Sequence, residues 1–187
     1  MKNVVTLGLA GLLGIGIATS ASATEPQFYG AAGVGYSSYD LPSTAPAGSG
    51  DDSWGYSILA GAEFQTGHNG VTVAVEGGWK DFGDIDGGTG SPDTEIDGWF
   101  AGIKAALPVS ADGATRVFAR GGQLWWEGTT GPVSVDQEDW YYGGGIDHLV
   151  SPNIRVGLDL EFISLDPGAG SQDIDTLSTT ARVIYMF

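Results

Sequence analysis

From residue 28 onward, apolar and polar side chains alternate with a period of two, in eight runs of about ten residues. The runs fall at 28–39, 53–64, 71–80, 96–107, 115–126, 140–149, 153–164 and 176–187, and almost no 3.6-residue periodicity competes with them. Gly, Asp, Ser and Pro separate the runs, as turns require. The connections alternate too. Long ones are expected at 40–52, 81–95, 127–139 and 165–175, and short ones at Gln65–Gly70, Pro108–Ala114 and Val150–Pro152. Long loops at one end and tight turns at the other predict an all-β, eight-stranded antiparallel up-and-down barrel.

Sorting alternate positions gives two faces. One is apolar and carries Val34, Ile58, Val75, Ile103, Val117, Leu158 and Val183 with most of the aromatic residues. The other carries Glu63, Glu76, Lys80, Lys104, Arg116, Arg120, Asp147, Arg155, Asp159, Glu161 and Arg182, interleaved with glycines. Alternation alone fits a soluble barrel with an apolar interior or a membrane barrel with an apolar exterior. Trp54, Trp79, Trp99, Trp125 and Trp140 decide between them, because all lie on the apolar face at the long-loop ends, with Tyr36 and Phe162 at matching positions. An interfacial girdle belongs there, whereas a soluble core would spread its large rings through the middle. The sparse charged face suits a cramped lumen better than a water-facing exterior.

Charge sharpens this picture. Seven Lys and Arg stand against 23 Asp and Glu, a formal net charge of −16. That leaves no basic surface for nucleic acid. With no cysteine, disulfides, iron–sulfur clusters and thiol nucleophiles are excluded. Residues 1–23 read as a secretory signal: Lys2 is the positive region, Val4 to Ala18 the apolar stretch, and Ala21-Ser22-Ala23 the cleavage site. The barrel domain is then expected over 24–187. All six remaining basic residues and five of the acids face inward, a lumen of about +1 by count. Glu25 and Asp112 belong to the periplasmic end, so the other 16 acids lie in or beside the long loops. Such a rim attracts divalent cations, which would bridge it to an anionic lipid leaflet.

The chain resembles the eight-stranded transmembrane domain of outer-membrane protein A and its small opacity-type, porin-like relatives. The resemblance rests on Phe28-Tyr29-Gly30-Ala31-Ala32-Gly33-Val34-Gly35-Tyr36, on Gly144-Gly145-Ile146-Asp147-His148-Leu149-Val150-Ser151-Pro152-Asn153, on Leu158-Asp159-Leu160-Glu161-Phe162, and on Tyr185-Met186-Phe187. It implies an integral outer-membrane location among lipids and lipopolysaccharide, and a lumen closed by salt-bridged charges. It also implies a terminal Tyr185 and Phe187 read by the barrel assembly machinery, and a structural or surface-interaction role. No counterpart of the larger members' periplasmic peptidoglycan-binding domain, and so no cell-wall tether, is expected. A gate in which the lumen charges exchange partners, giving a narrow ion or solute channel, is the alternative.

Enzymatic and cofactor readings find little support in the residues. Lipid A chemistry needs a His base beside a Ser nucleophile near the outer leaflet. His68 is expected in a periplasmic turn, and His148 and Ser151 at the periplasmic end. Gly30-x-x-Gly33-x-Gly35 is no phosphate loop, because no helix follows it, and no other cofactor motif is present. Asp84, Asp86 and Glu95 match calcium-loop positions 1, 3 and 12, but Gly88 and Thr89 break the pattern at positions 5 and 6.

Overall fold

The computed structural model describes residues 25–41, 49–67, 70–166 and 174–187. The expected signal segment and His68 lie outside the described residues. Eight strands follow in order: β1 (Gln27–Asp40), β2 (Asp52–Gln65), β3 (Thr72–Ile85), β4 (Thr94–Pro108), β5 (Thr115–Thr130), β6 (Val133–Ser151), β7 (Ile154–Leu165) and β8 (Ile174–Met186). Each pairs antiparallel with its sequence neighbours, and β1 pairs with β8, so the sheet closes on itself and leaves no edge through the membrane.

The expected strands are present, but several are longer at the outer end. β3 runs five residues past 80, and β6 starts seven residues before 140. The long connection expected at 127–139 is replaced by a β5–β6 hairpin closed over Gly131 and Pro132. The polar composition of that stretch reflects strands standing in water, where alternation no longer separates lipid from lumen. The apolar outer face therefore does not end where the strands end. It continues upward into Asp52, Asp81, Asp97, Glu127 and Asp136, of which Asp97 alone falls within an expected run, on the side expected to be uncharged, and the others on the strand extensions.

A bulge in β3 sets the inner surface at this level. Asp81 pairs with Asp97 and Gly83 with Ile96, so Phe82 is the extra residue. Phe82 keeps the inward side of Lys80, and the extra residue shifts the side-chain parity beyond it, which turns Ile85 inward and leaves Asp84 outside. Gly83 has φ +81°, a conformation glycine adopts freely, and its N–H donates to Asp81 Oδ1 at 2.7 Å.

Above the girdle the wall divides. β2–β3 pairing stops at Tyr56 with Asp81, and β6–β7 pairing stops at Tyr141 with Ile163. The other six pairs continue outward, so two four-stranded sheets, β7-β8-β1-β2 and β3-β4-β5-β6, face each other there. Tyr39, Ile163 and Leu165 from one sheet meet Phe82, Ile85, Ile96, Leu124 and Trp126 from the other, all buried in one cluster. The halves are joined by Tyr39 Oη donating to the Phe82 carbonyl at 2.8 Å and by Gly50 N–H donating to the Asp86 carbonyl at 3.0 Å. Asp139 Oδ2 accepts from Trp126 Nε1 at 2.8 Å and from Asp166 N–H at 3.0 Å, spanning the second seam.

At the periplasmic end the β4–β5 turn is held by its own side chains. Asp112 Oδ1 accepts from Ser110 Oγ at 2.6 Å and from Ala114 N–H at 3.0 Å. The Ser110 hydroxyl, then the backbone donor, hold the Asp112 carboxyl below its ordinary pKa. This support is present above the usual carboxylate range and is lost as the pH falls through the depressed value.

The apolar plug and the lipid-facing belt should respond differently to truncation. Leu124→Ala removes buried volume from a packed cluster and should cost about 2–5 kcal/mol. Leu160→Ala faces lipid, whose chains refill the space, so its cost should be well below that. Urea unfolding of both variants in the same lipid vesicles reads the difference.

Candidate functional site

The lumen is built from the inward parity of all eight strands. Ten of the eleven inward charges are buried, and Arg155, nearest the periplasmic mouth, is partly so. An unpaired ion in such a place costs several kcal/mol, so the arrangement has to bring carboxylates and cations together.

They form two clusters. Toward the periplasm, Arg116 grips Asp147 with Nε and Nη2 at 2.9 and 3.0 Å, and reaches Glu63 Oε1 at 2.8 Å through Nη1. Lys104 Nζ at 3.2 Å and Arg155 Nη1 at 3.1 Å complete the shell of Asp147. One carboxylate thus serves three cations. The fork of the guanidinium matches the two carboxylate oxygens, which a lysine could not do.

The second cluster lies nearer the middle and balances three cations with three acids. Arg120 is its hub, at 3.3 Å from Glu76 Oε2, 3.2 Å from Asp159 Oδ2 and 3.2 Å from Glu161 Oε1. Lys80 Nζ sits 2.5 Å from Glu161 Oε2 and donates to Ser178 Oγ at 2.9 Å. Arg182 pairs with Asp159, and Tyr29 Oη donates to Glu76 Oε1 at 2.6 Å.

Aromatic rings complete the filling, and the sequence pattern did not expose them as lumen residues. Lys104 Nζ lies 4.2 Å from the Phe118 ring centre, and the Arg120 guanidinium lies 5.4 and 5.5 Å from Phe100 and Tyr141. Inward glycines make room for these rings. A Cβ on Gly61 would stand 2.6 Å from Tyr29 Cζ, and one on Gly102 would stand 2.4 Å from Tyr141 Oη. The available signal was parity: Tyr29, Phe100, Phe118 and Tyr141 share the side of their strands with the charges.

On the outside, the girdle residues face the surroundings. Tyr36 packs edge-on to Trp54 at 5.5 Å and donates to Asp52 Oδ2 at 2.6 Å. Trp79, Trp99 and Trp125 are Cα partners across β3, β4 and β5, and Trp79 Nε1 donates to Asp97 Oδ1 at 3.1 Å. Trp140 is exposed, and Phe162 stacks on Tyr142 at 5.7 Å. One pair further out, Asp81, Asp97, Glu127 and Asp136 are Cα partners in an unbroken row across β3 to β6. At the opposite end, Tyr185 meets Phe187 edge-on at 5.3 Å, and Phe187 N–H donates to the Phe28 carbonyl at 2.9 Å.

His148 lies on the outward face at the periplasmic end, with Nδ1 2.9 Å from Thr115 Oγ1. Among the described residues no three or more His, Asp or Glu side chains are arranged to hold a metal ion.

Because three cations depend on Asp147, its loss should outweigh that of Glu63, which serves Arg116 alone. Asp147→Asn should destabilise the barrel by about 3–5 kcal/mol, the cost of stranding buried charge, and Glu63→Gln by clearly less. Urea midpoints at neutral pH in a common lipid would rank them.

Comparison with known proteins agrees with this architecture. No curated protein sequence is detectably similar to the chain. Among solved structures, Ail, the attachment invasion locus protein of Yersinia pestis, superposes with a TM-score of 0.58 at 11% identity, covering 88% of this chain and 100% of that one. Neisserial surface protein A gives 0.55 at 14% identity, with 86% and 97% covered. OprG of Pseudomonas aeruginosa gives 0.54 at 10% identity, with 87% and 96% covered. At such identities the likeness is one of fold. The sequence model of the outer membrane protein beta-barrel domain matches residues 7–187, and with the closed eight-stranded wall and apolar belt it makes this chain a member of that family, integral to the outer membrane.

Proposed function

We propose that the protein is a closed, non-catalytic barrel that serves envelope integrity or contact at the cell surface. The observation that carries this reading is the lumen, obstructed twice over: two charge clusters fill its lower and middle parts, and the apolar plug around Phe82, Leu124 and Leu165 fills its outer end. A hydrated ion would have to break buried pairs and then cross a dry, uncharged layer. The non-catalytic part rests on the position of His148, which has a threonine beside it and faces outward at the periplasmic end. Tyr185 and Phe187 are read as the end recognised by the assembly machinery.

Ail has been solved in complex with the heparin analogue sucrose octasulfate. That ligand class does not carry over. The outward rim here holds carboxylates, and every Lys and Arg of the described residues faces the lumen.

Planar-bilayer recording tests the closed reading. The reconstituted protein should be silent, and Glu76→Ala or Lys104→Ala should not turn silence into steady conductance. Steady current in the parent, altered by either substitution, would favour the narrow-channel alternative.

The carboxylate row at Asp81, Asp97, Glu127 and Asp136 gives a second expectation. Like charges directly opposite each other cost roughly 0.2–1 kcal/mol per pair. Divalent cations should relieve this by gathering along the row, without a chelating site, and would bridge it to anionic lipopolysaccharide. Millimolar Mg²⁺ or Ca²⁺ should raise the melting temperature at low ionic strength, and Asp97→Asn should reduce the increment.

A further inference from the structure

On the side opposite the carboxylate row, the outer wall holds a groove. It runs across β6, β7, β8 and β1 as an open depression of about 560 Å³. Its lower edge is apolar: Tyr142, Phe162 and Leu177 are successive Cα partners on the outward face, at the level of the aromatic girdle. The upper edge is acidic, formed by Asp40 and Asp175, with Asp51 at the β1 end. Between the two edges the wall is bare, because Ile163 and Thr176 turn their side chains inward.

We propose that this groove seats an outer-leaflet lipid whose headgroup carries a primary ammonium. Its chain would lie on Phe162 and Leu177, and the ammonium between Asp40 and Asp175. The girdle puts the groove at headgroup depth, so a leaflet lipid is the molecule it meets most often. Charge then selects among lipids. The three carboxylates have no Lys or Arg beside them, so a headgroup bearing only phosphate is repelled and one bearing an ammonium is drawn in. A lone divalent ion fits less well, because these carboxylates do not converge as a coordination shell. Asp40 and Asp175 are also direct cross-strand partners, a like-charge pairing that opposes local strand association until a cation lies between them. Ser164 Oγ already donates to Asp175 Oδ1 at 2.7 Å, which orients that carboxylate and leaves its other oxygen for the ligand. The inference holds whether or not the lumen conducts.

Native mass spectrometry of the full-length barrel in a neutral maltoside detergent, with EDTA present, tests it. Offered equal phosphatidylethanolamine and phosphatidylglycerol, the parent should retain the ethanolamine lipid in about fivefold excess, the scale of one interfacial charge contact. Asp40→Asn with Asp175→Asn should bring the ratio near one, and Phe162→Ala should weaken retention of both lipids while leaving the ratio in place. The Asn pair removes a repulsion, so these variants should fold, which heat-modifiable gel migration checks. Equal retention by the parent would overturn the proposal. So would an excess that survives the double substitution.

Discussion

A wall of eight strands encloses a space so narrow that side chains must fill it, and nothing inside can rely on water. That single constraint organises the molecule. Each inward charge needs an opposite charge within reach, which is why Asp147 is surrounded by Arg116, Lys104 and Arg155, and why Arg120 touches three carboxylates at once. Each inward ring needs an empty place on a strand nearby in the wall, which Gly61 on the neighbouring strand supplies to Tyr29 and Gly102 two strands away supplies to Tyr141. The filling is therefore cooperative in shape as well as in charge, and few of its parts can be exchanged one at a time.

The outer end obeys a different rule. Once the strands leave the membrane, closure is no longer enforced by lipid, and the wall separates along the β2–β3 and β6–β7 seams. Two sheets packed face to face need an apolar interior, as in a sandwich, so charge gives way to Phe82, Ile96, Leu124 and Leu165. One chain thus uses a polar interior where its exterior is apolar and an apolar interior where its exterior is polar.

Much of the membrane portion was readable from period-two alternation, because lipid imposes a strict apolar requirement on every second residue. Ile58, Val75, Ile103 and Leu158 could hardly be anything else. The outward tryptophans mark one end of the apolar belt, where Trp79, Trp99 and Trp125 stand side by side on neighbouring strands. Parity placed Glu76 and Arg120 on the inner side, yet their mutual contact was not legible, since β3 and β5 are not neighbours in the wall and pairing across a lumen leaves no spacing rule. The plug was missed for a related reason. Phe82 and Ile85 lie past the expected end of their strand at 80, and Ile85 also follows the parity shift at Phe82; Trp126 shares the inward parity of Arg120, but alternation alone does not say that rings replace charges at that level. The 127–139 stretch looked like a loop because strands standing in water need no apolar face toward lipid.

The abrupt change on the outer surface, from tryptophan to carboxylate within one residue pair, acts as a vertical stop. Sinking the barrel by two residues of strand, about 5 Å of depth at the usual strand tilt, would carry Asp81, Asp97, Glu127 and Asp136 toward hydrocarbon. Raising it by the same amount would lift the indole row out of the interface it prefers. Because the penalties act on adjacent strands at once, the molecule's depth is defined far more sharply than any one residue could define it. A barrel held at fixed depth presents its rim at a constant height, and a thinner or thicker leaflet must deform around it.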